Sequence, residues 1–154
     1  SYQSEAHMGV FYKQQLSEPG DGNSVSCVNC NTQLALCRDL LSTNFRGRTG
    51  GAMLFDKVVN VTTGPCEDSV MTTGMHTIRV LYCIDCHENV GWKYEIAYEE
   101  DQKYKEGRFI LEEELCHSSH THDAGEGWSS YGNEEEDDAE EEEEYQSSSG
   151  PSNS

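Results

Sequence analysis

The sequence predicts one mainly β domain, built from antiparallel strands. Several short segments rich in β-branched and aromatic residues are separated by turns that contain glycine or proline. No long stretch shows the spacing of an amphipathic helix. Beyond residue 116 almost the only large apolar side chains are Trp128, Tyr131 and Tyr145. The folded part is therefore about a hundred residues, enough for a single core.

Four segments are predicted to be strands, and they cover residues 52–61, 77–82, 91–98 and 108–111. Gly64-Pro65 is expected to end the first of them, because proline cannot donate a hydrogen bond to a neighbouring strand. The third alternates, which predicts that Trp92, Tyr94, Ile96 and Tyr98 share one face. Residues 34–41 fit either a short strand or a turn of helix, and residues 102–107 read as a polar turn.

The charge is strongly acidic and unevenly placed. The net charge is −19, and the run from Glu134 to Glu144, broken only by Ala139, contributes −10 of it. This balance argues against non-specific nucleic-acid binding and against docking on anionic membranes, since both need basic surfaces. No run of about 18 apolar residues is present, so no membrane-spanning helix is expected.

Four of the seven cysteines lie in two identical Cys-x-x-Cys motifs, Cys27/Cys30 and Cys83/Cys86. Two intervening residues let both thiolates of a motif face one ion, and two such motifs complete a tetrahedral set of four sulfurs. Soft thiolate ligands favour Zn²⁺ over Mg²⁺ or Ca²⁺. The sequence therefore predicts one structural zinc, with no open position for a substrate. The alternative is free thiols or a redox pair, although no helix follows either motif as a thioredoxin-like site requires.

The remaining cysteines and the late histidines give weaker signals. Cys37 and Cys66 are read as ordinary thiols. Cys116 begins a short Cys/His tract, a candidate second metal site whose other members are His117, His120 and His122.

Several longer motifs resemble the Yippee family of proteins. The resemblance runs from about Val25 to Leu115. It is carried by Cys27-x-x-Cys30, Asp39-Leu-Leu-Ser-Thr-Asn-Phe45, Val58-Val-Asn-Val61, Thr73-Gly-Met-His76, Cys83-x-x-Cys86, Gly91-Trp-Lys-Tyr-Glu95 and Gln102-Lys-Tyr-Lys-Glu-Gly107. It implies a β-tent fold, in which one zinc pins two antiparallel sheets through the same four cysteines. It also implies a relation in fold to the drug-binding domain of cereblon and to the zinc-containing methionine sulfoxide reductases.

The domain boundaries follow from these observations. Residues 1–7 are interpreted as a cloning remnant, with Met8 as the native start. Residues 8–24 form an extended entry segment, residues 25–116 the Yippee zinc-binding domain, and residues 117–154 a disordered acidic tail.

Three functions follow from the resemblance. The first is a non-enzymatic protein-interaction module, an adaptor or regulatory subunit of a GID/CTLH-type ubiquitin ligase in nucleus and cytoplasm. The second is a module that binds a small molecule or a modified peptide, such as a cation held by ring faces, in a pocket lined by Trp92 and Tyr94, with Phe55 and His76 as further walls. The other tryptophans of a cereblon-like cage have no counterpart here. The alternative is that Trp92 and Tyr94 simply fill the core between the sheets.

The third function is an enzyme of the methionine sulfoxide reductase type. Its nucleophile would have to be Cys116, whose neighbours Glu113 and Glu114 disfavour a thiolate. We therefore expect no catalysis.

Overall fold

The computed structural model describes residues 13–16 and 23–118. Within these residues nine strands form two sheets. The strands are β1 (Ser24–Cys27), β2 (Gln33–Leu36), β3 (Leu40–Arg46), β4 (Gly51–Phe55), β5 (Val61–Met71), β6 (Gly74–Cys83), β7 (Asn89–Ala97), β8 (Phe109–Glu112) and β9 (Cys116–Ser118). Three short 3₁₀ helices occupy Cys37–Asp39, Glu100–Lys105 and Glu113–Leu115. None of the described helices is long and apolar enough to cross a bilayer.

Both sheets are antiparallel throughout. The smaller sheet has the order β2-β1-β9, and the larger has the order β3-β4-β8-β7-β6-β5. The predicted fold class, mainly β with two antiparallel sheets, is confirmed. After β8 the chain leaves the large sheet, and its last described residues form β9, which pairs with β1 as the third strand of the small sheet.

Strand β4 of the larger sheet is buried on both faces, from Ala52 to Phe55, without alternation. Successive strand residues point to opposite faces. Met53 and Phe55 pack with Val25 and Leu34 of the small sheet, in one core cluster. Leu54 belongs to a second cluster, whose other members are Phe45, Ala52, Met71, Ile78, Trp92, Tyr94 and Ile110.

The predicted strand 52–61 is wrong as a single element. Strand β4 stops at Phe55, and β5 begins at Val61 after a turn in which Asn60 has a positive φ of 59°. The expectation that Gly64-Pro65 ends a strand is also wrong, since β5 runs through both residues to Met71. The pairing with β6 shifts register between Thr63 and Cys66. Strand β5 lies at the edge of the sheet. Pro65 has no N–H to donate, but at a bulge of an edge strand no neighbouring strand needs that hydrogen bond.

The alternation predicted for residues 91–98 breaks after Tyr94. The register of β7 against β6 pairs Ile78 with Tyr94 but Thr77 with Ile96, so Glu95 is an extra residue on β7. A bulge of this kind exchanges the two faces. Ile96 is therefore exposed, and Ala97 is buried in its place. Tyr98 lies beyond the strand and is exposed as well.

The two uncertain segments are resolved by the structure. Residues 34–41 contain both expected alternatives, because β2 leads directly into a 3₁₀ turn. Residues 102–107 lie partly in the 3₁₀ helix Glu100–Lys105, and the polar turn hides one fully buried side chain, Lys105. The expected domain end at Cys116 is passed by two residues, since His117 and Ser118 belong to β9. The rest of the expected acidic tail, including His120 and His122, lies outside the described residues, as do residues 1–12.

Candidate metal centre

Each Cys-x-x-Cys motif forms a turn between two strands of one sheet. Cys27 ends β1, and its turn leads into β2 of the small sheet. Cys83 ends β6, and its turn leads into β7 of the large sheet. A metal held by both turns would therefore join the two sheets.

The two turns have the same internal hydrogen bonds. The Asn31 N–H donates to the Cys27 carbonyl at 2.8 Å, and the His87 N–H donates to the Cys83 carbonyl at 2.9 Å. The residue after each second cysteine has a left-handed backbone, with φ of 66° at Asn31 and 65° at His87. These two residues were not singled out by sequence. Asparagine and histidine are both enriched among non-glycine residues with this conformation, but neither residue type is specific enough to predict it from sequence.

The four sulfur atoms come together at one point. The Sγ atoms of Cys27 and Cys86 are 3.7 Å apart, and those of Cys30 and Cys83 are 3.5 Å apart. All four lie within 4.8 Å of one another. In a tetrahedral zinc site with Zn–S bonds of about 2.3 Å, the sulfurs are separated by about 3.8 Å. The donor set and its spacing therefore fit Zn²⁺.

The thiols differ in their readiness to lose a proton. Burial raises the pKa of the Cys27 thiol to about 12 and also raises the pKa of Cys83. Burial acts in the same direction on Cys86, but hydrogen bonds from the Asn29 side chain and the Glu88 backbone lower its pKa to about 7. A cation in the centre would stabilise all four thiolates and remove the cost of burying them.

Cys116 and His117 cannot share an ion. Cys116 is opposite Cys27 on β9 and buried, while the His117 side chain is exposed and its Nε2 lies 2.7 Å from the Asn31 Oδ1. Adjacent residues of a strand point to opposite faces. Burial, reinforced by the nearby Cys27 and Glu112, raises the pKa of the Cys116 thiol far above its ordinary value. Cys37 is half-buried and Cys66 is exposed, and neither belongs to the four-sulfur cluster.

The four residues expected to line an aromatic pocket are all buried, with exposed fractions of 0–1%. Trp92 and Tyr94 pack edge to face with ring centroids 6.1 Å apart, and His76 lies 5.2 Å from Tyr94. Phe55 belongs to the other core cluster, on the side of the small sheet. The expectation that all four line one pocket is therefore wrong for Phe55, and the other three rings are closed to solvent.

A cation does lie against one of these rings, that of Tyr94, but it belongs to the chain itself. The Lys105 ammonium is fully buried, 5.3 Å from the ring centroid of Phe45, 5.4 Å from that of Tyr94 and 5.8 Å from that of Tyr104. It also donates to the Thr73 Oγ1 at 3.1 Å. Ring faces attract cations at such distances. The Tyr94 ring, expected to face an external ligand, is thus already covered by an internal lysine. The sequence did not indicate this lysine, because it lies in a polar turn.

Comparison with known proteins agrees with this architecture. A protein-family profile described as "Yippee zinc-binding/DNA-binding/Mis18, centromere assembly" matches residues 24–127. A yippee-like protein of rice (Oryza sativa subsp. japonica) is 46% identical over 110 residues, covering 68% of this chain and 92% of the relative. Yippee-like 3 of Danio rerio is 52% identical over 87 residues, covering 56% of this chain and 73% of the relative.

A solved structure shows the same fold at much lower identity. The crystal structure of the Mis18 "Yippee-like" domain aligns with a TM-score of 0.50 at 12% identity, over 62% of this chain and 93% of the other. The profile match covers well over half of the chain, and the rice relative is matched over nearly its whole length. The chain therefore belongs to the Yippee family.

Proposed function

We propose that this chain is a zinc-stabilised protein-interaction module that catalyses no reaction of its own. The observation that carries the proposal is the closed set of four sulfurs between the two sheets. Cys27, Cys30, Cys83 and Cys86 would hold one Zn²⁺. Four protein thiolates fill a tetrahedral zinc, so the ion would cross-link the fold and leave no position for a substrate.

The enzyme alternative has little support from the described residues. A methionine sulfoxide reductase needs an accessible thiolate, and Cys116 is buried with a raised pKa. The small-molecule alternative needs an accessible ring face, and Trp92, Tyr94 and His76 are closed. Tyr94 already faces Lys105, so an external cation would first have to displace an internal one.

For the partner, we propose subunits of a GID/CTLH-type ubiquitin ligase, with this chain as an adaptor or regulatory subunit in nucleus and cytoplasm. Family membership supports a role in a protein assembly, since the family description names centromere assembly. The same description names DNA binding. We favour proteins over nucleic acid for this chain, because residues 23–118 carry nine Lys and Arg against fourteen Asp and Glu.

The test is affinity purification of the tagged full chain from separate nuclear and cytoplasmic extracts, with quantitative mass spectrometry. Cys83→Ser removes one proposed zinc ligand, and Cys66→Ser is the matched control at an exposed thiol outside the cluster. Ligase subunits should be enriched by the wild type and by Cys66→Ser, and lost with Cys83→Ser. Zinc-loaded wild type that enriches no ligase subunit from either extract would refute the assigned partner.

A further inference from the structure

Residues 13–16, called the strap below, lie against the turn at Asn60. The side-chain amide of Asn60 contacts the backbone of Gln14 in both directions. The Gln14 N–H donates to the Asn60 Oδ1 at 2.7 Å, and the Asn60 Nδ2 donates to the Gln14 carbonyl at 2.9 Å. One residue presents both groups to the same side only when it is extended, as in a pair of antiparallel strands. The asparagine amide thus takes the place of a neighbouring strand.

A second side chain continues this pattern. The Leu16 N–H donates to the Gln33 Oε1 at 2.6 Å. Gln14 and Leu16 are two residues apart, which is the repeat of an extended chain. The Asn60 Nδ2 also donates to the Gln33 carbonyl at 2.6 Å, so the two recognising side chains are tied together. These contacts reach the strap through its backbone and do not depend on its side chains.

Side chains at the two ends of the strap also contact the domain. Lys13 Nζ lies 3.2 Å from the Asp85 Oδ2, within the second cysteine turn. At the other end Leu16 lines a cavity of about 80 Å³, where its neighbours include the apolar residues Leu34, Ala35 and Val59 and the charged residues Arg38, Asp39 and Lys57. The surface formed by Gln33, Asn60, Asp85 and this cavity, called the strap groove, therefore accepts a basic residue followed three positions later by an apolar one.

Asn60 is a buried part of the domain, whereas the strap is mostly exposed. Asn60 is 8% exposed, and its carbonyl accepts a hydrogen bond from the Ile84 N–H of the second cysteine turn at 2.9 Å. In contrast, Lys13, Gln14 and Gln15 are exposed, and only Leu16 is half-buried. An open cleft of about 320 Å³ also remains between the strap, Asn31, Thr32 and Gln33. A segment that buries so little surface opens readily.

We propose that the strap groove binds extended segments of partner proteins with a basic-x-x-apolar pattern, in competition with the chain's own strap. The inference rests on the proposed function, since it names the surface through which the interaction module takes a partner. The strap shows the chemistry of the ligand, because its hydrogen bonds to Asn60 and Gln33 are available to any extended backbone. An occupant in the same chain competes at an effective concentration of about a millimolar, so it lowers but does not abolish binding of a second segment.

The test uses a fluorescein-labelled octapeptide, Gly-Ser-Lys-Gln-Gln-Leu-Ser-Gly, titrated into full-length protein and followed by fluorescence anisotropy. In the double variant Lys13→Glu/Leu16→Asp the strap loses both end contacts. This variant should bind the peptide at least about tenfold more tightly than the wild type does. Replacing leucine by aspartate in the peptide should abolish binding, whereas replacing lysine by glutamate should weaken it about fivefold at most, because the Lys13–Asp85 pair is half exposed.

Asn60→Gly in the double-variant background tests the hydrogen bonds that the Asn60 side-chain amide makes to the bound backbone. Glycine accepts the positive φ at this position and keeps the carbonyl bonded to Ile84, so only the side-chain amide is lost. Peptide affinity should fall at least about tenfold, while Asn44→Gly, an exposed position on β3, should leave it unchanged. Equal binding by Asn60→Gly, or no binding by a zinc-loaded double variant, would overturn the proposal.

If the double variant does not fold, the wild type provides the same test by NMR. Excess unlabelled peptide should move the Gln14 and Leu16 amide resonances towards their unstructured positions. Resonances that stay fixed up to millimolar peptide would overturn the proposal. A failure here leaves the proposed function standing if ligase subunits are still enriched by the zinc-loaded wild type. Conversely, a peptide that binds while no ligase subunit is recovered would reject only the assigned partner.

Discussion

Gly91 lies where β7 and β8 approach most closely. It pairs with Leu111, and a Cβ built at this position would overlap the carbonyl oxygen of Ile110. The obstacle is backbone in the middle of the large sheet, so it cannot move aside as the end of a long side chain could. The glycine of the Gly91-Trp92 motif is therefore required for packing, and it allows Trp92 to be buried in the next position.

Gly91→Ala should lower the free energy of unfolding by about 3 kcal/mol, because the two central strands must separate to accept a methyl group. Gly64→Ala is the matched control. Its new Cβ would meet the Tyr82 ring at 3.4 Å, an ordinary contact, so a change within about 0.5 kcal/mol is expected. Urea unfolding of the zinc-loaded proteins measures both. Equal stabilities of the two variants would contradict the close approach of β7 to β8.

At the scale of elements, the two cysteine turns have the same backbone structure. Each begins at the last residue of a strand, turns through a left-handed residue and returns into the next strand of the same sheet. The left-handed residue follows the second cysteine directly, and its N–H donates to the carbonyl of the first. Because His87 supplies this conformation without being glycine or asparagine, its backbone is under strain that the surrounding turn must support.

His87→Val should reduce the free energy of unfolding by about 1–2 kcal/mol, since a β-branched residue is disfavoured at positive φ. His87→Gly removes the same imidazole without that strain and should stay within about 1 kcal/mol of the wild type. Chemical unfolding in zinc-containing buffer gives both values. If the glycine variant lost as much stability as the valine variant, the loss would come from the missing imidazole and not from backbone strain.

The elements that sequence patterns predicted least well are those whose form depends on their neighbours. Pro65 can lie inside β5 only because β5 is the edge of the sheet, and edge position follows from strand order, which local patterns do not contain. Likewise the bulge at Glu95 could not be predicted from the sequence, since it depends on the register between β6 and β7. In contrast, the spacing of the four cysteines pointed to a single site, and the structure places their sulfurs together.

For the whole molecule, the sulfur cluster is where the two sheets meet. The small sheet brings Cys27 and Cys30, and the large sheet brings Cys83 and Cys86. The interior between the sheets is modest and includes the thiols of the cluster itself. A domain of this size with a small core commonly depends on a metal for part of its stability. We therefore expect metal binding and folding to be coupled.

Zinc affinity should fall steeply as the pH is lowered. The pKa of Cys27 is about 12 in the metal-free protein and that of Cys83 is also raised, so both thiols carry protons at pH 7. Zinc binds thiolates and must release these protons, so acid favours the metal-free form. Cys86, with a pKa of about 7, is partly protonated there as well. Each released proton contributes a factor of ten per pH unit, so the affinity should fall by at least roughly 100-fold per pH unit around neutrality. Competition with a chromogenic chelator between pH 6.5 and 7.5 measures the slope. A change of less than about tenfold would contradict the raised pKa values.

A structural zinc at the four cysteines is tested most directly by measuring the zinc content of the wild type, Cys83→Ser and Cys66→Ser by elemental analysis, each with a thermal melt. We expect one zinc per chain in the wild type and in Cys66→Ser, with the same cooperative transition. In Cys83→Ser both the zinc and the cooperative transition should be lost. Less than half a zinc in the wild type, or a Cys83→Ser protein that melts like the wild type, would show that a metal at these four cysteines does not hold the two sheets together.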